Sequence, residues 1–219
     1  MARRKSLAFL DVGQGDCFVA DTKSGAIIFD GGSSSEDQVG RYRILPYMKY
    51  LGYQKIQIAV ISHMDIDHYS GIKELLEMGK IKYLGLPEIP KDETMKKIIG
   101  IAKKRGTTIF YLSRGRQITT KDGSLKVLHP QKNSQMEKNA ASLVMQGKIL
   151  GYRVLLTGDV EKEGEEELLS EELERADILK AAHHGSKNST SNEFLQKVQP
   201  KQTVISCGKQ NRYGHPHLE

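Results

Sequence analysis

Ser62-His63-Met64-Asp65-Ile66-Asp67-His68, directly behind the apolar run at residues 56–61, decides how the rest of the chain is read. A nearly continuous apolar run of that length predicts a strand buried on both faces. The spacing of Ile72, Leu75 and Leu76 predicts a helix over residues 70–78. Between them lie four residues of metal-ligand type, His63, Asp65, Asp67 and His68, in a loop where alternate side chains converge. The competing reading is a capped helix start, with Asp65 or Asp67 as N-terminal acids and the histidines merely polar. One acid fits that reading. Two acids interleaved with two histidines do not, because neighbouring carboxylates repel and raise one another's pKa. A divalent cation, held at about 2.0–2.2 Å by such oxygen and nitrogen donors, removes the conflict.

Two more strand ends carry the same residue types. Leu155-Leu156-Thr157-Gly158-Asp159 is an apolar strand closing on a carboxylate, and Ala181-Ala182-His183-His184-Gly185-Ser186 closes on two imidazoles. Alone, Asp159 is a turn residue and His183-His184 a hydrogen-bonded pair. Together the three clusters suit a cleft at the C-terminal ends of strands, where open α/β sheets collect ligands. Working outward, strands at 7–10 and 17–22 flank the turn Asp11-Val12-Gly13-Gln14-Gly15-Asp16, and a strand at 26–29 ends in Asp30-Gly31-Gly32. A helix over 43–51 is capped by Gly52. Strands are expected at 82–86, 108–112, 117–120, 125–128, 142–146, 152–157, 178–182 and 203–207, with helices at 92–104, 161–174 and 191–198. Two β-then-α halves emerge, a mixed α/β or α+β pattern.

Length and composition bound the possibilities. A chain of 219 residues, 38% hydrophobic and 27% charged, is expected to form one soluble domain over residues 1–219. No stretch nears the ~18 apolar residues a spanning helix needs. The basic start at Met1-Ala2-Arg3-Arg4-Lys5 lacks a signal-peptide core, and the closing Leu218-Glu219 reads as a cloning scar on a domain cut from a longer protein. Cys17 and Cys207 stand far apart without a CxxC partner and read as buried small hydrophobes. The net charge of +6 permits an anionic partner. Five Phe, nine Tyr and no Trp offer no obvious stacking platform for single strands.

The sequence resembles the metallo-β-lactamase superfamily, whose signature is HxHxDH after a strand, a later bridging Asp and a late His. More narrowly, Phe9-Leu10-Asp11-Val12-Gly13-Gln14-Gly15-Asp16, Asn139 with Ser142-Leu143-Val144, Leu156-Thr157-Gly158-Asp159, His183-His184-Gly185-Ser186 and Asn211-Arg212-Tyr213-Gly214-His215-Pro216 are similar to the extracytoplasmic domain of the ComEC-type competence proteins. The resemblance spans residues 7–217. It implies a four-layer αββα sandwich with a dinuclear site at one sheet edge. It further implies that His63, Asp65 and Asp159 hold one ion, and that Asp67, His68, the bridging Asp159 and one of His183 and His184 hold the other. His184 is the expected ligand and His183 the residue facing substrate or supporting the ligands, although their adjacency leaves both open. Asp30 and Asp11 would orient ligands and loops from behind.

Two departures from the superfamily pattern stand out. Asp65 replaces its middle histidine, and Asn139 occupies the place of a third. The oxygen-rich half shifts preference from zinc alone towards manganese or mixed occupancy. Two ions about 3.5–4 Å apart make a shared water acidic enough to attack phosphorus, so phosphodiester cleavage is expected, with Asp67 among the essential residues. Asn139 borders the expected substrate site. Ser186, Lys187, Asn211 and Arg212 would hold phosphate oxygens, and His215 would protonate the leaving oxygen. The resemblance thus implies a DNA-cleaving domain at the extracytoplasmic membrane face, attached to or associated with a channel. Two other functions fit the same residues: a small-molecule metallo-hydrolase acting on a β-lactam, thioester or phosphocholine-type ester, and a non-catalytic DNA-binding or structural module whose degenerate metal site locks its loops.

Overall fold

The computed structural model describes residues 5–136 and 138–217; the chain-end readings at residues 1–4 and 218–219 lie outside the described residues. Alternation along the central strands explains the layering. In β3 (Gly25–Phe29), Ala26 and Ile28 pack under helices while Ile27 and Phe29 face a second sheet. In β10 (Tyr152–Leu156), Val154 and Leu156 face the first sheet and Leu155 faces helices on the far side. Both strands are therefore sandwiched, and helix, sheet, sheet and helix stack as four layers.

The first sheet runs in chain order: β1 (Ser6–Phe9), β2 (Phe18–Thr22), β3, β4 (Ile56–Val60), β5 (Ile81–Pro87) and β6 (Thr108–Leu112). The second holds β7 (Gln117–Thr120), β8 (Gly123–His129), β9 (Val144–Ile149), β10, β11 (Ile178–Lys180) and β12 (Gln202–Val204), also in chain order. Each combines an antiparallel meander with a parallel part, β3 to β6 in one and β10 to β12 in the other. Parallel neighbours need crossovers. A π-helical turn (Gly40–Ile44) with α1 (Leu45–Tyr50), then α2 (Ile66–Glu77) and α3 (Glu93–Lys104), serve the first sheet; α4 (Lys162–Ser170) and α5 (Asn192–Val198) serve the second.

Two helices depart from the sequence expectation. α2 begins at Ile66, four residues before Ser70, so Asp67 and His68 stand on its first turn instead of in a loop. α4 stops at Ser170 instead of running to Glu174. There the Gln146 side chain donates to the Glu174 carbonyl (2.6 Å) and accepts from its N–H (3.2 Å), holding that segment out of the helix while Leu173 turns into the core.

The register aligns the C-terminal ends of the parallel strands at one edge. Phe29 pairs with Val60, and Leu156 with Lys180, so the segments at Asp30, His63, Asp159 and His183 all leave the sheets on the same side. Backbone bonds stitch them together: Gly31 N donates to the His68 carbonyl (2.9 Å), Asp16 N to that of Asp67 (3.1 Å), Leu143 N to that of Ser62 (3.0 Å) and His183 N to that of Gly158 (3.3 Å). Gly32 is required at this seam, since a Cβ there would lie 2.5 Å from the Ile66 carbonyl oxygen.

Candidate metal centre

Three of the imidazoles share one arrangement. The Nδ1 atoms of His63, His68 and His184 lie 3.0 Å from Ser62 Oγ, 2.9 Å from Asp30 Oδ2 and 2.7 Å from the Ser206 carbonyl oxygen, respectively. All three Nε2 atoms are buried without a hydrogen-bond partner among the described residues. Such atoms cost stability unless something meets them. Asp159 Oδ2 lies 3.1 Å from His68 Nε2 and 3.5 Å from His184 Nε2, and Asp67 Oδ2 lies 3.4 Å from His184 Nε2. Asp159 thus meets both inward-facing imidazole nitrogens and Asp67 stands beside that of His184, nitrogen and oxygen donors of the kind that fit a divalent transition metal.

The electrostatics agree with that fit. Burial opposes charge on His68, yet Asp159 and Asp30 on either side raise its pKa well above the ordinary histidine value. Burial likewise opposes ionisation of Asp159, but His68, Lys180 and His184 hold its carboxyl well below the usual range. His63 shifts the other way, lowered by burial and by the charge of His68. The centre therefore keeps ionised carboxylates close to imidazoles that any bound cation would have to share.

Backbone conformation separates His183 from His184. Both adopt left-handed φ values, +46° and +53°, ahead of Gly185 at +79°. Non-glycine residues there cost of order 1–3 kcal/mol each and gather at functional sites. The turn sends His184 inward, 1% exposed in its side chain, to meet Asp67 and Asp159. It leaves His183 at the lip, with Nδ1 2.6 Å from Glu161 Oε1 and Nε2 3.9 Å from Asp159 Oδ2.

The other half of the centre is more open. Asp65 occupies the N-cap of α2 but makes no capping bond; its Oδ2 lies 3.8 Å from His63 Nε2, with the side chain 49% exposed. Asn139 lies within a short 3₁₀ turn (Lys138–Ala141), and its amide oxygen is buried without a partner among the described residues. Asp30, fully buried, accepts from Ser62 N (2.7 Å) as well as facing His68. Asp11 is exposed and orders only its own turn, accepting from Gly13 N (3.1 Å).

Among the residues expected on phosphate, Asn211 is differently employed. Its amide donates to the Gly208 and His215 carbonyls (2.9 and 2.6 Å) and accepts from Tyr213 N and His215 N (3.1 and 3.0 Å), so it braces the loop rather than offering a free donor. Ser186 Oγ accepts from Asn188 N (3.2 Å) and sits 3.5 Å from Glu161 Oε1. The Lys187 N–H donates to His217 Nδ1 (3.3 Å). Arg212, His183, His184 and His215 line a cavity of about 270 Å³ together with Asp65, Asp67 and Asp159.

Several partners escaped the sequence reading. Lys180, buried on β11, forms an ion pair with Asp16, donates to the Gly158 carbonyl (3.0 Å) and stands 3.5 Å from Asp159 Oδ1. An ammonium inside the apolar run Ile178-Leu179-Lys180-Ala181 demands a buried acid, and that signal was available. Asp16 comes within 4.8 Å of ligand atoms on His68, Asp159 and His184. However, it approaches both imidazoles on their Nδ1 edges (3.8 and 3.7 Å), so it backs the centre and does not compete for the Nε2 side.

An Asp/His cluster at the shared edge of an αββα sandwich defines the class, and the chain belongs to the metallo-beta-lactamase superfamily, whose family model matches residues 10–209. Among its relatives are ComE operon protein 3 of Bacillus subtilis (strain 168), 37% identical over 95% of this chain and 29% of that protein, and competence protein ComA of Neisseria gonorrhoeae, 30% identical over 94% and 27%. The chain thus spans under a third of the length of these relatives, which are the competence proteins that its motifs resemble. Similar solved structures include YhfI from Bacillus subtilis (TM-score 0.58, 16% identity, 88% of this chain and 78% of that one) and the short form of human tRNase Z (TM-score 0.55, 14%, 93% and 92%); these share the fold. Among the described residues no helix is long and apolar enough to cross a membrane.

Proposed function

We propose that this chain is the metal-dependent phosphodiesterase domain of a DNA-uptake protein. The observation that carries this reading is the donor set Asp67, His68, Asp159 and His184, of which Asp67, Asp159 and His184 line a cavity that Arg212 also lines. Asp67, His68, Asp159 and His184 would hold one ion; His63, Asp65 and Asp159 the other, with zinc or manganese suited to the oxygen-rich donors. Bound there, two divalent ions supply Lewis-acid polarisation of a phosphoryl oxygen and acidify water. The remaining work falls to side chains. Asp30 and the Ser206 carbonyl hold His68 and His184 with Nε2 facing inward. Burial opposes protonation of His183, but Glu161 and then Asp159 raise its pKa. His183 and His215 both line the cavity, and His215 would protonate the leaving oxygen. Arg212 and Lys187 supply positive charge for the strand.

The names of the relatives support a DNA-uptake setting. In that setting the chain is one domain of a longer protein, works at the extracytoplasmic face and serves a membrane channel domain. Labelled single- and double-stranded DNA, incubated with and without manganese or zinc, tests the activity, with Asp67→Ala as control. Metal-dependent cleavage lost in Asp67→Ala is the expected result. Absence of cleavage under every metal overturns the proposal, and nitrocefin turnover in its place would move the assignment to a small-molecule hydrolase.

A further inference from the structure

Flat side chains form a ladder from the metal centre to solvent. The His184 and His215 rings stack at 6.4 Å with 28° between planes, and His215 and Tyr213 at 5.6 Å with 24°. The Arg212 guanidinium follows, 4.8 Å from the Tyr213 centroid and bonded to its hydroxyl (2.6 Å). Tyr213 is 43% exposed and lines the same cavity as the catalytic candidates. Ile66, which lines that cavity too, is apolar and 52% exposed. Of the large apolar side chains exposed among the described residues, Tyr213 and Ile66 are the two that line this cavity.

The ladder stands on a braced loop. Tyr213 N and His215 N both donate to Asn211 Oδ1, Gly208 N donates to Gln14 Oε1 (2.9 Å), and His217 N donates to the Gly185 carbonyl (3.0 Å). The ring is thus held before any ligand arrives, which lowers the ordering cost of binding.

We propose that the outer end of this ladder, Tyr213 with the Arg212 guanidinium upon it, is a stacking platform for an unpaired nucleobase, so that the site takes single-stranded nucleic acid with the phosphate over the metal centre. This deepens the phosphodiesterase reading and rests on it for the placing of the phosphate. Aromatic rings and guanidinium planes accept the π-face of any base, so the platform is indifferent to sequence. A duplex keeps those faces inside its own stack and cannot offer them without being opened. The low aromatic content of the chain does not weigh against this, since one ring in the right place suffices.

The test uses phosphorothioate-linked oligothymidylate, which resists cleavage, and an abasic strand of the same length and backbone, titrated by fluorescence polarisation against the metal-loaded protein. Both strands carry the same charge, so their affinity ratio reports the base alone. We expect about a tenfold preference for the base-bearing strand, falling to about one in Tyr213→Ala and retained in Tyr213→Phe. Equal affinities in the unaltered protein, or a preference that survives Tyr213→Ala, overturn the platform. Parallel digestion of ordinary DNA separates the two ideas. Cleavage without base preference removes the platform and leaves the phosphodiesterase; base preference without cleavage under any metal keeps the platform and removes the phosphodiesterase.

Discussion

The two halves of the metal centre are built to different standards. On the inner side, His68 and His184 are sealed from water, and each has its Nδ1 anchored by Asp30 or a backbone carbonyl. On the outer side, His63 is equally buried but is anchored, among the described residues, by the neighbouring Ser62 hydroxyl, and Asp65 is half exposed. Ligand number already favours the inner half, with four proposed donors against three. Anchoring and burial separate them, because a ligand already held in its bound rotamer loses less entropy on meeting a cation. One ion should therefore be held tightly and the second loosely.

The largest break in this comparison should come from Asp159, the carboxylate proposed to serve both halves. Asp159→Asn is expected to strip metal from both, a loss beyond the roughly 10–100-fold caused by removing an outer partner. Metal content after desalting and loss of the metal-dependent rise in Tm report it; two retained equivalents would show that Asp159 bridges nothing. Next, Asp65→Ala should reduce bound metal from two equivalents to one, while Asp65→His restores the second by supplying a nitrogen donor. An unchanged stoichiometry in Asp65→Ala would place the weaker ion elsewhere. Asp30→Ala should then weaken the tighter equivalent about 10–100-fold in calorimetric titration and scarcely affect the weaker. Equal losses in both would erase the distinction between the halves.

The smallest effect belongs to a charge cluster at the opposite end of the second sheet. The Arg153 side chain and backbone, with Lys201, hold the Asp177 carboxyl well below its usual range. A depressed carboxylate contributes stability that is present above its unfolded pKa and is lost as pH falls through the folded one. Asp177→Asn should therefore lower Tm slightly at neutral pH, with the difference fading below about pH 4. Metal stoichiometry should stay at the unaltered value, which marks acid loss of metal as a property of the centre itself.

The layered fold was largely legible along the chain. Residues 26–29 and 154–156 are continuously apolar, and that pattern suits strands with packing on each side. The site motifs were legible too, because His63, Asp65, Asp67 and His68 sit within six residues and Asp159 and His183-His184 close apolar strands. Less legible were the boundaries. Asp65 carries the residue type of a helix cap, yet its side chain makes no capping bond, and the helix starts there because the backbone carbonyl of Asp65 accepts from His68 N and Tyr69 N (3.0 and 3.2 Å). The count of aromatic residues hid Tyr213, since composition carries no position.

What the sequence determined by itself are the features that depend on near neighbours: strand periodicity, helix faces, and the types of donor at each strand end. Tertiary structure alone decided which of two adjacent histidines turns inward, that Lys180 meets Asp16, and that Tyr213 shares a cavity with Asp159 and His184. Those outcomes join segments far apart in the chain, as when Ser206 Oγ donates to the Gly15 carbonyl across 191 positions (2.6 Å). A local pattern constrains torsions and burial within a few residues; the meeting of distant groups is settled only when whole sheets pack and their ends come into register.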